Sequence, residues 1–298
     1  DNKFKNSRQM RVWRNARVRA ASNLRSAIGR DIAVADLTSV HAKAHKKWWE
    51  AKMQKDGTSM DTANKCFNYV SGMLSRFYDD LDVEDAPRPY LNVGLKDRFK
   101  APKRKSEVPV GFILDRWFAL NAFDGLNTDA RDILLLAVET GCRQSELFDL
   151  PPSAFNLDCD LPYLAIEHEE ASAEVDGREI KNMHSIRHVP LVGVALAAAR
   201  RNPSGFPRYR GKAGFSALVN KYLRNHSLVP EGVTAGGLRH TWESRMKQAG
   251  YQLDDRGELM GHSVKGRRGR EQYGDDLTLA DRFEMVRKIA LPVPDHLS

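Results

Sequence analysis

At 298 residues, with 41% hydrophobic and 29% charged side chains, the chain has the composition of a globular protein with two domains, each able to bury its own core. No run approaches the roughly 18 apolar residues that span a bilayer, and three dispersed cysteines, Cys66, Cys142 and Cys159, argue against a disulfide framework and suit a reducing compartment. The net charge of +8 is unevenly placed: residues 1–105 carry 23 Lys and Arg against 12 Asp and Glu, and the remainder 24 against 27, so the positive excess expected of a phosphate-binding surface is N-terminal.

The basic amino end, Lys3 to Arg19, leads into the first periodic segment. Nothing there resembles a signal peptide, and Asp1 in place of Met suggests that preceding residues were removed. Residues 7–27, 36–55 and 60–80 lack internal proline and space apolar side chains three or four apart, which predicts three helices. Ser59 or Asp61 is placed to cap the third, and Asp56-Gly57 to turn the chain before it. From Ala86 to Lys105 the chain is proline-punctuated and basic, the composition of an interdomain linker that wraps a duplex through Lys103, Arg104 and Lys105. The domains are therefore expected at residues 1–85 and 106–298, with the linker at 86–105.

The second domain opens with an apolar helix over Phe112 to Phe123 and another from Thr128 to Val138, capped by Thr128 and Asp129. Tyr163 to Glu167, Ala173 to Lys181 and Ile186 to Leu191 read as short strands, with Asp176-Gly177 as a hairpin turn. Helices are expected at 213–225, 236–249, 251–260 and 277–290. The predicted fold is mainly α with a small antiparallel β-sheet, a helical N-terminal domain followed by an α+β domain.

Several chemistries are set aside by inspection. Gly205 to Lys212 has five residues between its glycines where a P-loop has four, and Ala213 stands where that loop needs Ser or Thr. His168-Glu169-Glu170 lacks the second histidine of a helical zinc motif, and no Cys-x-x-Cys pair exists. No metal or other cofactor is expected.

Four segments remain: Thr140-Gly141-Cys142-Arg143-Gln144-Ser145-Glu146-Leu147, Gly237-Leu238-Arg239-His240-Thr241, Leu259-Met260-Gly261-His262-Ser263, and Tyr273. In this order they resemble the tyrosine recombinases, also called phage-type integrases, over roughly residues 106–290. The helical, basic front half is similar to that family's core-binding domain. The resemblance implies site-specific cleavage and rejoining of DNA through a 3′-phosphotyrosyl ester, with Tyr273 as nucleophile and Arg143 and Arg239 as phosphate clamp. His262 matches the family's third basic position. Lys181 matches the lysine that protonates the leaving 5′ oxygen, with Lys212 and Lys265 as rivals. Glu146, one turn beyond Arg143, is placed to orient that arginine or a neighbouring base, and His240 resembles a supporting buried histidine.

The chemistry explains these residue types. A covalent intermediate stores the phosphodiester bond without ATP or metal. Guanidinium groups, charged at neutral pH and able to make paired hydrogen bonds, stabilise the charge that develops on phosphorus oxygens.

Two departures from the family's pattern stand out. Gly236 occupies the position, three before Arg239, where the family usually has histidine, and Tyr273 lies eleven rather than about nine residues beyond His262. Tyr251 is the rival nucleophile. The resemblance further implies duplex DNA as partner, a homotetramer on DNA, a monomer when free, no membrane, and a bacterial or phage-encoded cytoplasmic protein. The amphipathic segment after Leu277 packs either on its own domain or on a neighbouring protomer. A type IB topoisomerase, or a degenerate integrase acting as a DNA-binding regulator, are the alternative functions.

Overall fold

A computed structural model describes residues 5–96, 106–170, 177, 178, 180, 183–262 and 277–298. The chain divides into two compact units, Asp1–Lys103 and Arg104–Ser298.

Unit one is built from α1 (Ser7–Ile28), α2 (Ser39–Asp56) and α3 (Met60–Asp79). Asn6 and Gln9 close a capping box at the start of α1, each side chain accepting the other's backbone N–H. α2 starts three residues later than its periodicity suggests, because Val34–Asp36 forms a 3-10 turn and Thr38 becomes the cap residue. Gly57, at φ +66°, stops α2 in the left-handed conformation. Ser59 Oγ accepts from Thr62 N at 3.3 Å and caps α3. On α3 the buried side chains Ala63, Phe67, Val70 and Leu74 recur at helical spacing and face α1. Burying each of the three larger ones contributes about 1.5–3 kcal/mol.

One polar network sits in this core. Trp49 Nε1 donates to His45 Nε2 at 3.1 Å, so the ring proton lies on Nδ1, which donates to Tyr90 Oη at 2.8 Å. Tyr90, within the proline-punctuated stretch expected to be linker, is thereby buried in unit one, and Asn64 holds the Leu95 backbone by two hydrogen bonds. The linker reading does not hold for residues up to 95, because an aromatic anchor and an amide clamp bind them to the helices.

Unit two is organised around α5 (Thr128–Thr140), in which every residue from Asp132 to Thr140 is buried. A helix buried on all sides belongs at a domain centre. Its cap is Asn127, whose Oδ1 accepts from Ala130 N at 3.0 Å; Thr128 and Asp129 occupy the first turn instead of the expected cap position. The helix expected over Phe112 to Phe123 is shorter. A single turn, α4 (Val110–Phe112), runs into a π-turn at Ile113–Trp117 closed by Phe118 N to Ile113 O at 2.9 Å. That widening buries Ile113 and Trp117 together, the indole donating to Leu228 O at 2.7 Å, and the chain then leaves through Asn121 at φ +64°.

After α6 (Gln144–Phe148), a three-stranded antiparallel sheet runs in the order β1 (Phe155–Asn156), β2 (Tyr163–Ile166), β3 (Arg187–Pro190). Ala165 pairs His188, a register that points Leu164, Ile166, Arg187 and Val189 inward. The strand expected over Ala173 to Lys181 is not formed where it is described. Arg178 makes one isolated bridge to Glu169, and residues 171–176, 179, 181 and 182 lie outside the described residues. β1 was too short to leave a periodic signal.

α7 (Gly193–Arg201), which periodicity did not predict, packs Ala195, Ala198 and Ala199 closely on α5. α8 (Phe215–Asn225), α9 (Leu238–Gln248), α10 (Leu253–Met260) and α11 (Leu279–Ile289) follow. α11 packs on its own chain: Met285, Val286 and Ile289 join Trp242, Met246 and Leu259 in one apolar cluster. Arg245 fixes the end of α11, donating to Glu139 Oε2 at 2.5 Å and to Ile289 O, while Leu291 N donates to Glu139 Oε1 at 2.9 Å.

His45 yields a testable pH dependence. Burial pushes its pKa down to about 4, and a second ring proton would also confront the Trp49 N–H donor. Between about pH 6.5 and 4 the unfolded chain binds a proton that the folded unit refuses. Unit-one stability should therefore be full above pH 6.5, fall by up to ~3 kcal/mol as pH drops to 4, and lose this component's slope below that. Denaturant unfolding at stepped pH checks this, and His45→Gln should flatten the profile relative to the parent.

Candidate active site

The site is assembled where three chain reversals meet. α5 ends at Gly141, φ +60°, and the next residues enter α6 with Arg143 as its N-cap. A Cβ at 141 would lie 2.6 Å from the Trp242 ring, so only glycine lets this turn approach α9. Glu146, in the first turn of α6, reaches back to its own N-cap residue. Arg143 N donates to Glu146 Oε2 at 2.9 Å and Arg143 Nη1 to Oε1 at 2.5 Å.

Arg239 leaves the first turn of α9 and binds the other two reversals. Its Nη1 donates to Gly141 O at 2.6 Å, and its Nη2 donates to Met260 O and to His262 Nε2, both at 2.7 Å. A guanidinium has five N–H donors, so two of Arg239 remain for an incoming oxygen among the described residues. His262 follows α10 across Gly261, at φ +66°, and is exposed.

Arg187 was missed by motif reasoning. It donates to Leu259 O at 2.9 Å, Ser185 O at 2.8 Å, Cys142 Sγ at 3.3 Å and Glu146 Oε2 at 3.1 Å. Its signal was present, because Arg187, Val189 and Leu191 alternate, which puts a charge on the inward face of a strand.

Side-chain exposure grades the cluster: Arg187 2%, Arg239 11%, Glu146 13% and Arg143 29%. Arg143 is thus the most open of the three cations, Arg239 lies deeper and Arg187 is fully enclosed. Burial alone would raise the Glu146 carboxyl, but Arg187, the Arg143 amide and the Arg143 guanidinium hold it below the usual carboxylate range. Burial, then the like charge of Arg143, brings Arg239 down to about 10, which leaves it protonated at neutral pH. Burial pushes the Cys142 thiol up, away from thiolate chemistry. The arrangement presents the Arg143 guanidinium and the His262 imidazole to solvent with the Arg239 guanidinium fixed just beneath them, a set suited to a tetrahedral oxyanion.

Arg143, Glu146, Arg239 and His262 are therefore brought together. His240 lies half-buried on α9, beside Arg239 in sequence. Lys181, Tyr273, the rival Lys265, and Lys103, Arg104 and Lys105 lie outside the described residues. Lys212 donates to Pro207 O at 3.4 Å in the turn before α8. Tyr251 packs on the α9–α11 cluster beneath Lys288, and burial raises its phenol pKa, which disfavours it as a phenolate. Gly236 is exposed, and a Cβ there would meet only Thr234 Oγ1 at 3.5 Å, so the position has room for a side chain.

Unit one carries a second candidate surface. An open groove between α1 and α3 is lined by Lys5, Arg14, Arg17, Arg76, Trp13 and Tyr69, with Arg17 stacked 3.8 Å from the Trp13 ring centroid. Cations interleaved with aromatic rings suit a nucleic-acid backbone and its bases.

Among solved structures, the chain is similar to the Tn1549 transposon integrase in complex with transposon right end DNA, at 19% identity over 93% of each chain with a TM-score of 0.57. It is similar to a lambda integrase dimer bound to a COC′ core site, at 14% identity over 88% of this chain and 91% of that one with a TM-score of 0.52. A lambda integrase tetramer bound to a Holliday junction matches at 14% identity, covering 88% and 74%, with a TM-score of 0.51. The chain has the fold of these integrases, mainly α with a small antiparallel sheet. No family model matches the chain, and no curated protein does.

Gly141→Ala tests the closest contact. The left-handed backbone costs a β-carbon roughly 1–2 kcal/mol and displacing the Trp242 ring about 1–3 more. Denaturant unfolding should show a loss of about 2–5 kcal/mol from unit two.

Proposed function

We propose that this protein is a site-specific DNA recombinase that cleaves and rejoins duplex DNA through a 3′-phosphotyrosyl intermediate. The observation that carries this reading is the cluster in which Arg143 and Arg239 are fixed side by side around one carboxylate, with His262 on Arg239. The order of motifs and the fold shared with DNA-bound integrases support it.

In this mechanism the phenolate of Tyr273 attacks the scissile phosphorus, a P–O bond to tyrosine forms, and the bond to the 5′ oxygen breaks. Arg143 and Arg239 hold the non-bridging oxygens through the resulting pentacoordinate state. Lys181 gives its proton to the departing 5′ oxygen, a contribution of roughly 10²–10⁴-fold. His262 hydrogen-bonds the phosphate or relays protons, and Glu146 keeps Arg143 aimed. The reverse reaction, with the 5′ hydroxyl of another strand as nucleophile, rejoins the DNA. The basic groove of unit one and the segment with Lys103, Arg104 and Lys105 take the flanking duplex, the partner being double-stranded DNA held by a synaptic homotetramer that is monomeric when free. The protein acts in the cytoplasm of a bacterial or phage-infected cell.

A nicked suicide duplex, its core site obtained by binding selection from random DNA, should trap a covalent protein–DNA adduct. Tyr273→Phe should abolish that adduct, and an undiminished adduct overturns the assignment of the nucleophile. Arg143→Ala or Arg239→Ala should slow adduct formation roughly 10²–10³-fold while DNA binding is largely retained. Relaxation of plasmid without any site would assign a type IB topoisomerase instead.

Gly236 favours a second reading, a degenerate integrase that only binds DNA, because the family's histidine is absent there. The open space at 236 allows a direct test. Gly236→His should accelerate adduct formation about tenfold by restoring one phosphate hydrogen bond. Tight site-specific binding with no adduct from either protein would establish the regulator reading.

A further inference from the structure

We infer that Arg187 is the positioning residue of the site: it compensates the Glu146 carboxylate from the buried side so that Arg143 and Arg239 keep their charge for the scissile phosphate. The inference deepens the recombinase reading and rests on it.

Arg187 is 4% exposed, so it cannot itself meet a duplex. What it touches is the set of segments that carry the chemistry. One nitrogen holds Leu259 O, in the last turn before His262, and another holds Ser185 O, on the chain leading from Lys181 into β3. A third reaches Glu146 Oε2 at 3.1 Å, the oxygen that also accepts from the Arg143 amide and lies 4.0 Å from Arg239. The packing is equally specific: a Cβ at Gly261 would fall 2.7 Å from Arg187 Nη1 and 3.0 Å from Ser185 Cα. One guanidinium thus sets the spacing of three reversals that are far apart in sequence.

The charge balance gives the second half of the argument. Glu146 with Arg143 alone would be a neutral pair with little attraction left for a phosphate. With Arg187 behind it and Arg239 beside it, one negative charge faces three positive ones, and the excess sits on Arg143 and Arg239, the two less buried than Arg187. Because the compensating charge is buried, solvent screens it poorly and its effect on Glu146 is strong.

Arg187→Met, Arg187→Lys and Arg187→Met with Glu146→Gln would be compared with the parent by single-turnover adduct formation on the suicide duplex, DNA affinity and thermal midpoint. Arg187→Met should form adduct roughly 10²-fold more slowly with DNA affinity little changed, the division expected of an interaction made for the transition state. Adding Glu146→Gln should recover about tenfold of that loss, because the carboxylate no longer draws both guanidinium groups to itself. A purely structural arginine would give a further loss instead. Arg187→Lys, which keeps the charge and is the safer variant for folding, should slow adduct formation about tenfold because an ammonium lacks the planar fork. Parental rates in folded Arg187→Lys, or a double variant slower than Arg187→Met, would overturn the inference. Side-chain Nε–Hε spectra of labelled arginine supply a readout without chemistry. The Arg143 and Arg239 signals should move in Arg187→Lys, and unmoved signals refute the positioning role even if the parent forms no adduct. Absence of adduct from the parent itself would count against the recombinase reading alone.

Discussion

The site depends on one carboxylate. Glu146 is nearly buried, and an isolated buried charge is so costly that it would neutralise or be expelled. Here it is held ionised because it accepts from its own N-cap amide and from two guanidinium groups, with a third at 4.0 Å. Its place in the first turn of α6 adds a favourable helix-end field. Those contacts come from three stretches of chain, so satisfying one charge brings the Gly141–Glu146 turn, β3 and the start of α9 to a common point.

A second buried carboxylate shows how the same chemistry serves the fold alone. Glu139 lies on the last turn of α5, across the Gly141 reversal from Glu146, and meets a single guanidinium, Arg245. There burial outweighs Arg245 and raises the carboxyl, whereas at Glu146 the surrounding cations outweigh burial and lower it. Glu139 and Arg245 use their remaining hydrogen bonds on backbone groups of Leu291, Ile289 and Val138. Truncating either would leave a lone buried charge, a change that typically costs about 3–5 kcal/mol. The pair tethers α11, the helix that follows the segment containing Tyr273, to the same α5 whose end positions Arg143.

Much of this was legible in the chain, for reasons that differ by element. α1, α3 and α8 are amphipathic surface helices, so their period is explicit in the residues. Arg143, Arg239 and His262 could be placed by motif because each sits at a glycine-marked reversal. What escaped was set by tertiary contact. Asn127 displaced Thr128 as cap, and the π-turn at Ile113–Trp117 cut a helix short to bury two large side chains. Tyr90 turned part of a linker-like segment into core because His45, forty-five residues away, supplies its partner. The short β1 had no length over which a period could show.

Arg187 marks the boundary between these cases. Alternation along β3 states that its side chain points inward, and elementary electrostatics states that an inward arginine needs a carboxylate. Neither statement identifies Glu146, forty-one residues upstream, as that carboxylate. The fold makes the choice, since β3 lies against the α5–α6 turn and the α10 end at once. A motif search finds residues that meet the substrate, because substrate chemistry restricts their type and order. A residue that meets only other side chains is restricted by geometry, and it becomes visible when the chain has closed around it.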